Sequence, residues 1–315
     1  MTHGYSKQMV DSIVFAGTPS NAAQTLGDLV EGGIVVRLVI TRMDAPIGRK
    51  GVLTPSPVAL KAQELGIEVH KTNSIDEAAV SKIEASGCEV GIIVAYGSIL
   101  RARALDALKK GWYNLHYSLL PQLRGAAPVQ HAILTGLRET GITVFKLDAG
   151  IDTGKYLTQV QTRIEPGETA GRLLQRLTSL GTTALLQELP SIFAGTTNEK
   201  VQTGTPTSAP KIMRNDARLD FTRSAVELEA VVLGCNPEPG AWTTLHAQPF
   251  KIHDAYAVET AEKLEPGVLF MHSNKVAVRC GGATALVLNA VQPGGKSVMS
   301  AADWRRGNAN NVRFE

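Results

Sequence analysis

Asn114 and His116 stand two residues apart in the stretch NLHYSLLPQLRGAAPVQHAI, residues 114–133. In an extended strand residues i and i+2 point to the same side, so this spacing projects an amide and an imidazole together. The amide can donate to an oxygen that gains negative charge, and the imidazole can take or give a proton near neutral pH. That combination suits acyl transfer. Downstream, KLDAGIDTGK carries two carboxylates, Asp148 and Asp152, either of which could raise the basicity of the imidazole and steer its proton. No Gly-x-Ser-x-Gly turn or other nucleophile elbow occurs, so direct attack by a substrate is expected, without a covalent enzyme intermediate. An isolated Asn-x-His pair also fits a satisfied polar strand end, and its context has to distinguish the two.

The elements around the pair alternate between short apolar runs and helical periods. SIVFAGTP (12–19) reads as a buried strand entering a turn, and Ser20 or Asn21 is placed to cap the helix NAAQTLGDLVEGG. IVVRLVIT, IEVHK and EVGIIVAYG read as further buried strands, with SPVALKAQELG and IDEAAVSKIEASG as the helices between them. GWYNLHYS is the strand that carries Asn114 and His116 at its carboxyl end, and ligands of open parallel sheets bind beyond that end. GAAPVQHAILTG, GITVFKLDAG, GKYLTQVQTRI and a long helix ending at Gly195 complete a doubly wound, mostly parallel α/β sheet. The turn after the first strand lacks the three spaced glycines of a dinucleotide fingerprint and the P-loop Lys-Ser/Thr pair, which disfavours a dehydrogenase.

One connection is unusually long. TRMDAPIGRKGVLTPSPV (41–58) carries Arg42, Arg49 and Lys50 among glycines and prolines at the carboxyl face, where they would suit a polyanion. After Gly195 the polar TTNEKVQTGTPTSAPK has no apolar period and reads as a linker. Beyond it, one helix and short strands separated by Gly, Pro and Asn predict a small barrel, for which an oligonucleotide-binding type is one option.

Composition narrows the class. The 315 residues exceed a usual single domain, and 43% hydrophobic content is ordinary for a globular protein. No run approaches the ~18 to 20 apolar residues of a membrane span, and MTHGYSKQMVDS lacks the features of a secretory signal, so a cytoplasmic protein is expected. Cys88, Cys235 and Cys280 share no metal-ligand spacing and read as buried thiols. The formal charge is only +3, and residues 200–315 hold 13 Lys and Arg against 11 Asp and Glu. A nucleic-acid partner would therefore have to be held by the placement of basic side chains, not by bulk charge.

Taken in order, FAGTPSNA, GRKGVLTPSPV, IVAYGSIL, NLHYSLLPQLRGAAPVQ and GITVFKLDAGIDTG closely resemble the methionyl-tRNA formyltransferase family over residues 13–298. The resemblance implies a Rossmann-like formyltransferase catalytic domain (1–198), a linker (199–212) and a smaller C-terminal, OB-like β-barrel that binds tRNA (213–315). It implies transfer of the formyl group of 10-formyltetrahydrofolate, as co-substrate, to the α-amine of methionyl initiator tRNA; a monomer that needs no metal and no membrane is expected. Carried over by position, the catalytic residues are Asn114, His116 and Asp152, with His116 protonated to hydrogen-bond the oxyanion, and Asp148 is left as a turn residue. The folate pocket falls on Ala95, Tyr96, Gly97, Ser118, Leu119, Leu120 and Pro121, and a tRNA contact on Arg49, with Arg42 and Lys50 of the same basic loop expected beside it. Tyr117, Gln122 and Leu123 depart from the family pattern, since a small residue often stands at the first and PRWRG is commoner than PQLRG. Related formyltransferases of ribonucleotides and amino sugars share the three catalytic types. The Arg49 loop, LRGAAP and the C-terminal barrel favour tRNA.

Overall fold

Strand β1 (Ser12–Gly17) is buried at every position, as expected for an apolar run in a sheet covered on both faces. The computed structural model describes residues 11–48, 51–308 and 312–315. A Cβ at Gly17 would lie 2.9 Å from the Val94 carbonyl and 2.8 Å from the Ala22 Cβ, so the tight turn that seats α1 (Ser20–Glu31) on the sheet requires glycine. The expected cap at Ser20 or Asn21 is not the one observed. Pro19 occupies the N-cap without a side-chain bond, because Asn21 lies within the helix and gives its Nδ2 to the Tyr117 hydroxyl at 2.9 Å.

Along the chain follow β2 (Val35–Thr41), β3 (Ala45–Ile47), β4 (Val52–Thr54), α2 (Pro57–Glu64), β5 (Glu68–Lys71) and α3 (Glu77–Ala85). Then come β6 (Val90–Val94), α4 (Ala102–Leu105), β7 (Gly111–His116), α5 (Pro128–Leu134), β8 (Glu139–Lys146), β9 (Tyr156–Arg163) and α6 (Ala170–Ala194). Seven strands form one sheet in the order β5-β2-β1-β6-β7-β8-β9. β1 pairs in parallel with β2 and β6, and β6 in parallel with β7, while β7 and β8 are antiparallel. The order reverses between β1 and β6, the topological switch point beyond which open parallel sheets bind ligands. Thr18 Oγ1 donates to the Tyr96 carbonyl across it at 3.1 Å. The long connection after β2 contains structure of its own: β3 and β4 form an antiparallel hairpin, and the Thr41 and Ser56 hydroxyls bond at 2.6 Å across its base.

The chain divides into two compact units that do not follow chain order. One comprises Met1–Ala126, Gly141–Gln161 and Gln175–Ser208, and the other Ala127–Thr140, Thr162–Leu174 and Ala209–Glu315. In the second, α7 (Ala225–Gly234) lies against α5, with Leu134 over the bare Cα of Gly234, and the Gly171 N–H donates to the Asn236 carbonyl. The smaller β-domain is an antiparallel sheet of β10 (Trp242–Leu245), β11 (Gln248–Glu259), β12 (Leu269–His272), β13 (Lys275–Arg279), β14 (Thr284–Pro293) and β15 (Met299–Ser300), followed by α8 (Ala301–Arg306). Phe250 anchors its core, with ring centroids 4.8 Å from both Trp304 and Phe314. No helix among the described residues is long and apolar enough to cross a membrane.

The expected linker is not free chain up to Ser208. Lys200 exchanges both backbone hydrogen bonds with Tyr156, and Thr207 gives its carbonyl to the Arg124 N–H at 2.8 Å. Its polar residues satisfy backbone groups of the first unit, which is why they show no apolar period.

Inside that unit, Gly91 on β6 faces Trp112 on β7, whose indole is buried and donates to the Ala104 carbonyl at 2.8 Å. A Cβ at Gly91 would come within 2.2 Å of Trp112 Cε3. Gly91→Ala should therefore destabilise the protein by about 1 to 3 kcal/mol through overpacking, measured as a lowered urea midpoint with unchanged slope.

Candidate active site

β7 places the Asn-x-His pair where the sheet runs out. Asn114 pairs with Ile93 on one side and Phe145 on the other, and His116 with Thr143, so the strand backbone is held on both edges. Two residues apart, Asn114 and His116 share one face of β7. Among the described residues the half-buried Asn114 side chain has no hydrogen-bond partner. A strand with flanking neighbours thus presents an amide with both donors uncommitted.

His116 is 5% exposed and has both ring nitrogens against protein acceptors. Nε2 lies 3.0 Å from the Leu123 carbonyl, and Nδ1 lies 3.8 Å from Asp152 Oδ2. A carbonyl only accepts, so the hydrogen of the neutral ring resides on Nε2 and the basic lone pair on Nδ1, beside the carboxylate. Burial lowers the imidazole below its ordinary value, against the opposing pull of Asp152 and the Leu123 carbonyl. The resting ring is neutral near pH 7. Desolvation outweighs the nearby charge in the resting ring.

Asp152 reaches this position on the loop after β8. Its backbone is left-handed, with φ at +53°, and Oδ2 accepts the Gly125 N–H at 2.8 Å. Asp148 folds back on the same loop, its Oδ1 accepting from Gly150 N at 3.0 Å and Thr153 Oγ1 at 2.6 Å. The two aspartates thus separate by geometry: Asp148 closes a turn, and Asp152 faces the imidazole.

The turn after β7 is equally fixed. Ser118 Oγ donates to the Gln122 carbonyl at 2.5 Å, and the Ser118 carbonyl accepts from Thr143 Oγ1 at 2.6 Å. The Leu120 N–H reaches the same Thr143 hydroxyl, its carbonyl accepts Gln159 Nε2 at 2.7 Å, and the Leu120–Pro121 peptide is cis. Leu119 stays half-exposed. In the crevice loop after β6, Ala95 and Gly97 are exposed, while Tyr96 is buried with its hydroxyl donating to the Thr72 carbonyl at 3.0 Å. Burial pushes that phenol up to about 12, so Tyr96 is a pin between loops and not an acid–base group.

Of the basic residues, Arg42 is half-buried with its guanidinium donating to the Met43 carbonyl at 2.7 Å. Arg49 and Lys50 lie outside the described residues. Tyr117, a departure from the family pattern, is buried with its hydroxyl accepting from Asn21. Leu123, another, has φ at +57° and supplies the carbonyl that holds His116, while Gln122 is exposed. Three further residues reach the site without any sequence signal: Gly125, Gln202 and Thr207. Gln202 Nε2 donates to the carbonyls of Asp152 at 2.9 Å and Gly154 at 2.8 Å, and Thr207 Oγ1 accepts the Leu123 N–H at 2.8 Å. Among the described residues no group of three or more His, Cys, Asp or Glu side chains is placed to hold a metal ion.

Residues 11–189 match the model of the formyl transferase family, and residues 211–309 match that of the formyl transferase C-terminal domain. A methionyl-tRNA formyltransferase of Clavibacter sepedonicus is 47% identical over 94% of this chain and 96% of its own length. One from Corynebacterium glutamicum (strain R) is 40% identical over 94% of this chain and 96% of its own. Among solved structures, the sugar 3N-formyl transferase WlaRD, with dTDP and 5-N-formyl-THF, is 17% identical with a TM-score of 0.62, covering 91% of this chain and 99% of that one. HypX from Aquifex aeolicus, in complex with tetrahydrofolic acid, is 14% identical with a TM-score of 0.66, over 94% of this chain and 47% of that one.

The buried neutral ring has a consequence for stability. His116 is depressed below its ordinary 6.5 in the folded state, so the unfolded chain binds a proton that the folded chain refuses. That contribution is complete above about pH 6.5 and is lost as pH falls below it, at up to about 1.4 kcal/mol per unit. His116→Gln should flatten this part of the dependence. Parallel urea-midpoint profiles for wild type and variant between about pH 7.5 and 5.5 would assign the titration to another group.

Proposed function

The chain belongs to the methionyl-tRNA formyltransferase family, and from that premise we propose that Asn114, His116 and Asp152 carry the family's reaction here. The enzyme transfers a formyl group to the α-amine of methionyl initiator tRNA, giving the N-formylmethionyl-tRNA used in translation initiation. The observation that supports the catalytic assignment most directly is the uncommitted Asn114 amide on the strand face it shares with a buried neutral imidazole.

10-Formyltetrahydrofolate is the proposed donor, supplying a formyl group at the acyl level. The residues present fit such a ligand: Ala95 and Gly97 are exposed beyond β6, and Ser118, Leu119, Leu120 and Pro121 form a turn pinned through the Ser118 hydroxyl and the Leu120 N–H, with Leu119 half-exposed. Tyr96 serves by holding the first of these loops in place. Asn114 Nδ2 donates to the formyl oxygen as charge builds on it when the amine attacks. His116 Nδ1 takes the proton that the amine must lose and delivers it to the departing nitrogen. Asp152, 3.8 Å away, stabilises the imidazolium in the interval. One C–N bond forms, another breaks, and no metal is needed for polarisation in this scheme.

The loop with Arg42, Arg49 and Lys50 is proposed to meet the acceptor end, and the C-terminal β-domain, 213–315, to bind the body of the tRNA. The protein is proposed to act in the cytoplasm as a monomer.

Asn114→Ala should lower kcat about a hundredfold or more with little change in KM, because the lost donor acts mainly in the transition state. Incubation with 10-formyltetrahydrofolate and charged initiator or elongator tRNA, followed by detection of formyl-methionyl ester, tests the whole reading. Folded His116→Ala and Asp152→Ala proteins that formylate at the wild-type rate would overturn the catalytic assignment. Affinity for initiator tRNA should also fall steeply with salt, and a flat salt titration would rule out phosphate contacts as its basis.

A further inference from the structure

The segment 202–207, polar and without period, bonds to both loops that orient the imidazole. His116 and Asp152 are each held by the 123–125 turn: the Leu123 carbonyl faces Nε2, and the Gly125 N–H faces Asp152 Oδ2. Neither Leu123 nor Asp152 is glycine, yet both are left-handed, a conformation that must be stabilised from outside. At each of them the outside partner is this segment. Thr207 Oγ1 accepts the Leu123 N–H, and its carbonyl accepts the Arg124 N–H, both at 2.8 Å. Gln202 Nε2 bridges the Asp152 and Gly154 carbonyls, while its Oε1 accepts Arg124 Nη2 at 2.6 Å.

The chemistry of these partners allows only one orientation of the Gln202 amide. Two carbonyls require its NH2, and a guanidinium requires its oxygen. Gly154 adds a second constraint on the same loop, since a Cβ there would lie 1.8 Å from the Lys146 carbonyl.

We propose that Gln202 and Thr207 are positioning residues that set the Nδ1–carboxylate geometry of His116 and Asp152, joining the two left-handed turns into one rigid frame. The proposal rests on the catalytic assignment made above. Neither residue touches a reacting atom in this scheme, so their effect belongs on turnover and on the titration of the site, not on substrate affinity.

Gln202→Glu keeps an oxygen for Arg124 but removes the N–H donors to both carbonyls. Thr207→Val keeps the shape but removes the acceptor for Leu123, and Thr207→Ser restores it. With wild-type formylation of Met-tRNA as reference, Gln202→Glu and Thr207→Val should each lower kcat about 10- to 100-fold. KM for both substrates should stay within about twofold, since no ground-state contact is lost. The acid limb of the pH profile should be displaced in both, and Thr207→Ser should return kcat and profile toward wild type. Folded variants with wild-type kcat and an unmoved acid limb, beside an inactive His116→Ala, would overturn the proposal while leaving the catalytic assignment intact. Variants that fail to fold, or that lose thermal stability alone, would overturn it as well, by placing the segment in the scaffold. An active His116→Ala would instead strike the assignment on which it rests.

Discussion

The desolvation of one imidazole governs how this site is built. A ring buried as deeply as His116 must satisfy both nitrogens or lose the hydrogen bonds that water would have supplied. One is met by a main-chain carbonyl and the other faces a carboxylate at the longer range of 3.8 Å. This asymmetry fixes the tautomer and leaves the basic lone pair beside the Asp152 carboxylate. A flip of the ring would set carbon atoms against both acceptors, so the orientation is determined by chemistry as well as by packing. The sheet supplies the rest: β7 is flanked by β6 and β8, and alternation along it brings Asn114 to the face on which His116 is held.

Much of this is legible in the sequence. Apolar runs of buried strands are long, strongly patterned signals, and every strand expected for the first sheet is present. The Asn-x-His spacing carried real geometric content, because strand period is independent of neighbours. Between Asp148 and Asp152, residue type and spacing could not choose. The choice depends on a left-handed residue whose carbonyl accepts a hydrogen bond from 50 positions away. The Leu123 carbonyl and Gly125 N–H were invisible for a related reason: every residue has a backbone, so no composition marks the ones that matter. Pro19 as the helix cap shows the converse error, where local preference for Asn21 yields to a buried tertiary partner.

The division into units makes the same point at larger scale. A polar stretch without period was read as linker, and up to Ser208 its polarity is that of a strap whose donors and acceptors serve another segment's main chain. Residues 127–140 and 162–174 belong with the C-terminal unit although they lie between elements of the first. Compactness follows packing such as Leu134 over Gly234, not chain order. The β3–β4 hairpin likewise lies in a stretch punctuated by glycine and proline, where the pairing of Ala45 with Thr54, Pro46 with Leu53 and Ile47 with Val52 makes the strands.

The bond between Asn21 and Tyr117 joins positions 96 residues apart. A buried amide nitrogen cannot be left without an acceptor cheaply, and a buried phenol gains from a donor at its oxygen. Replacing Tyr117 by a small residue would take away the acceptor of Asn21 Nδ2 and open space for a water molecule in its place. What the sequence presents as two distant letters is, in the folded chain, one buried polar contact, and a substitution at either position acts on both.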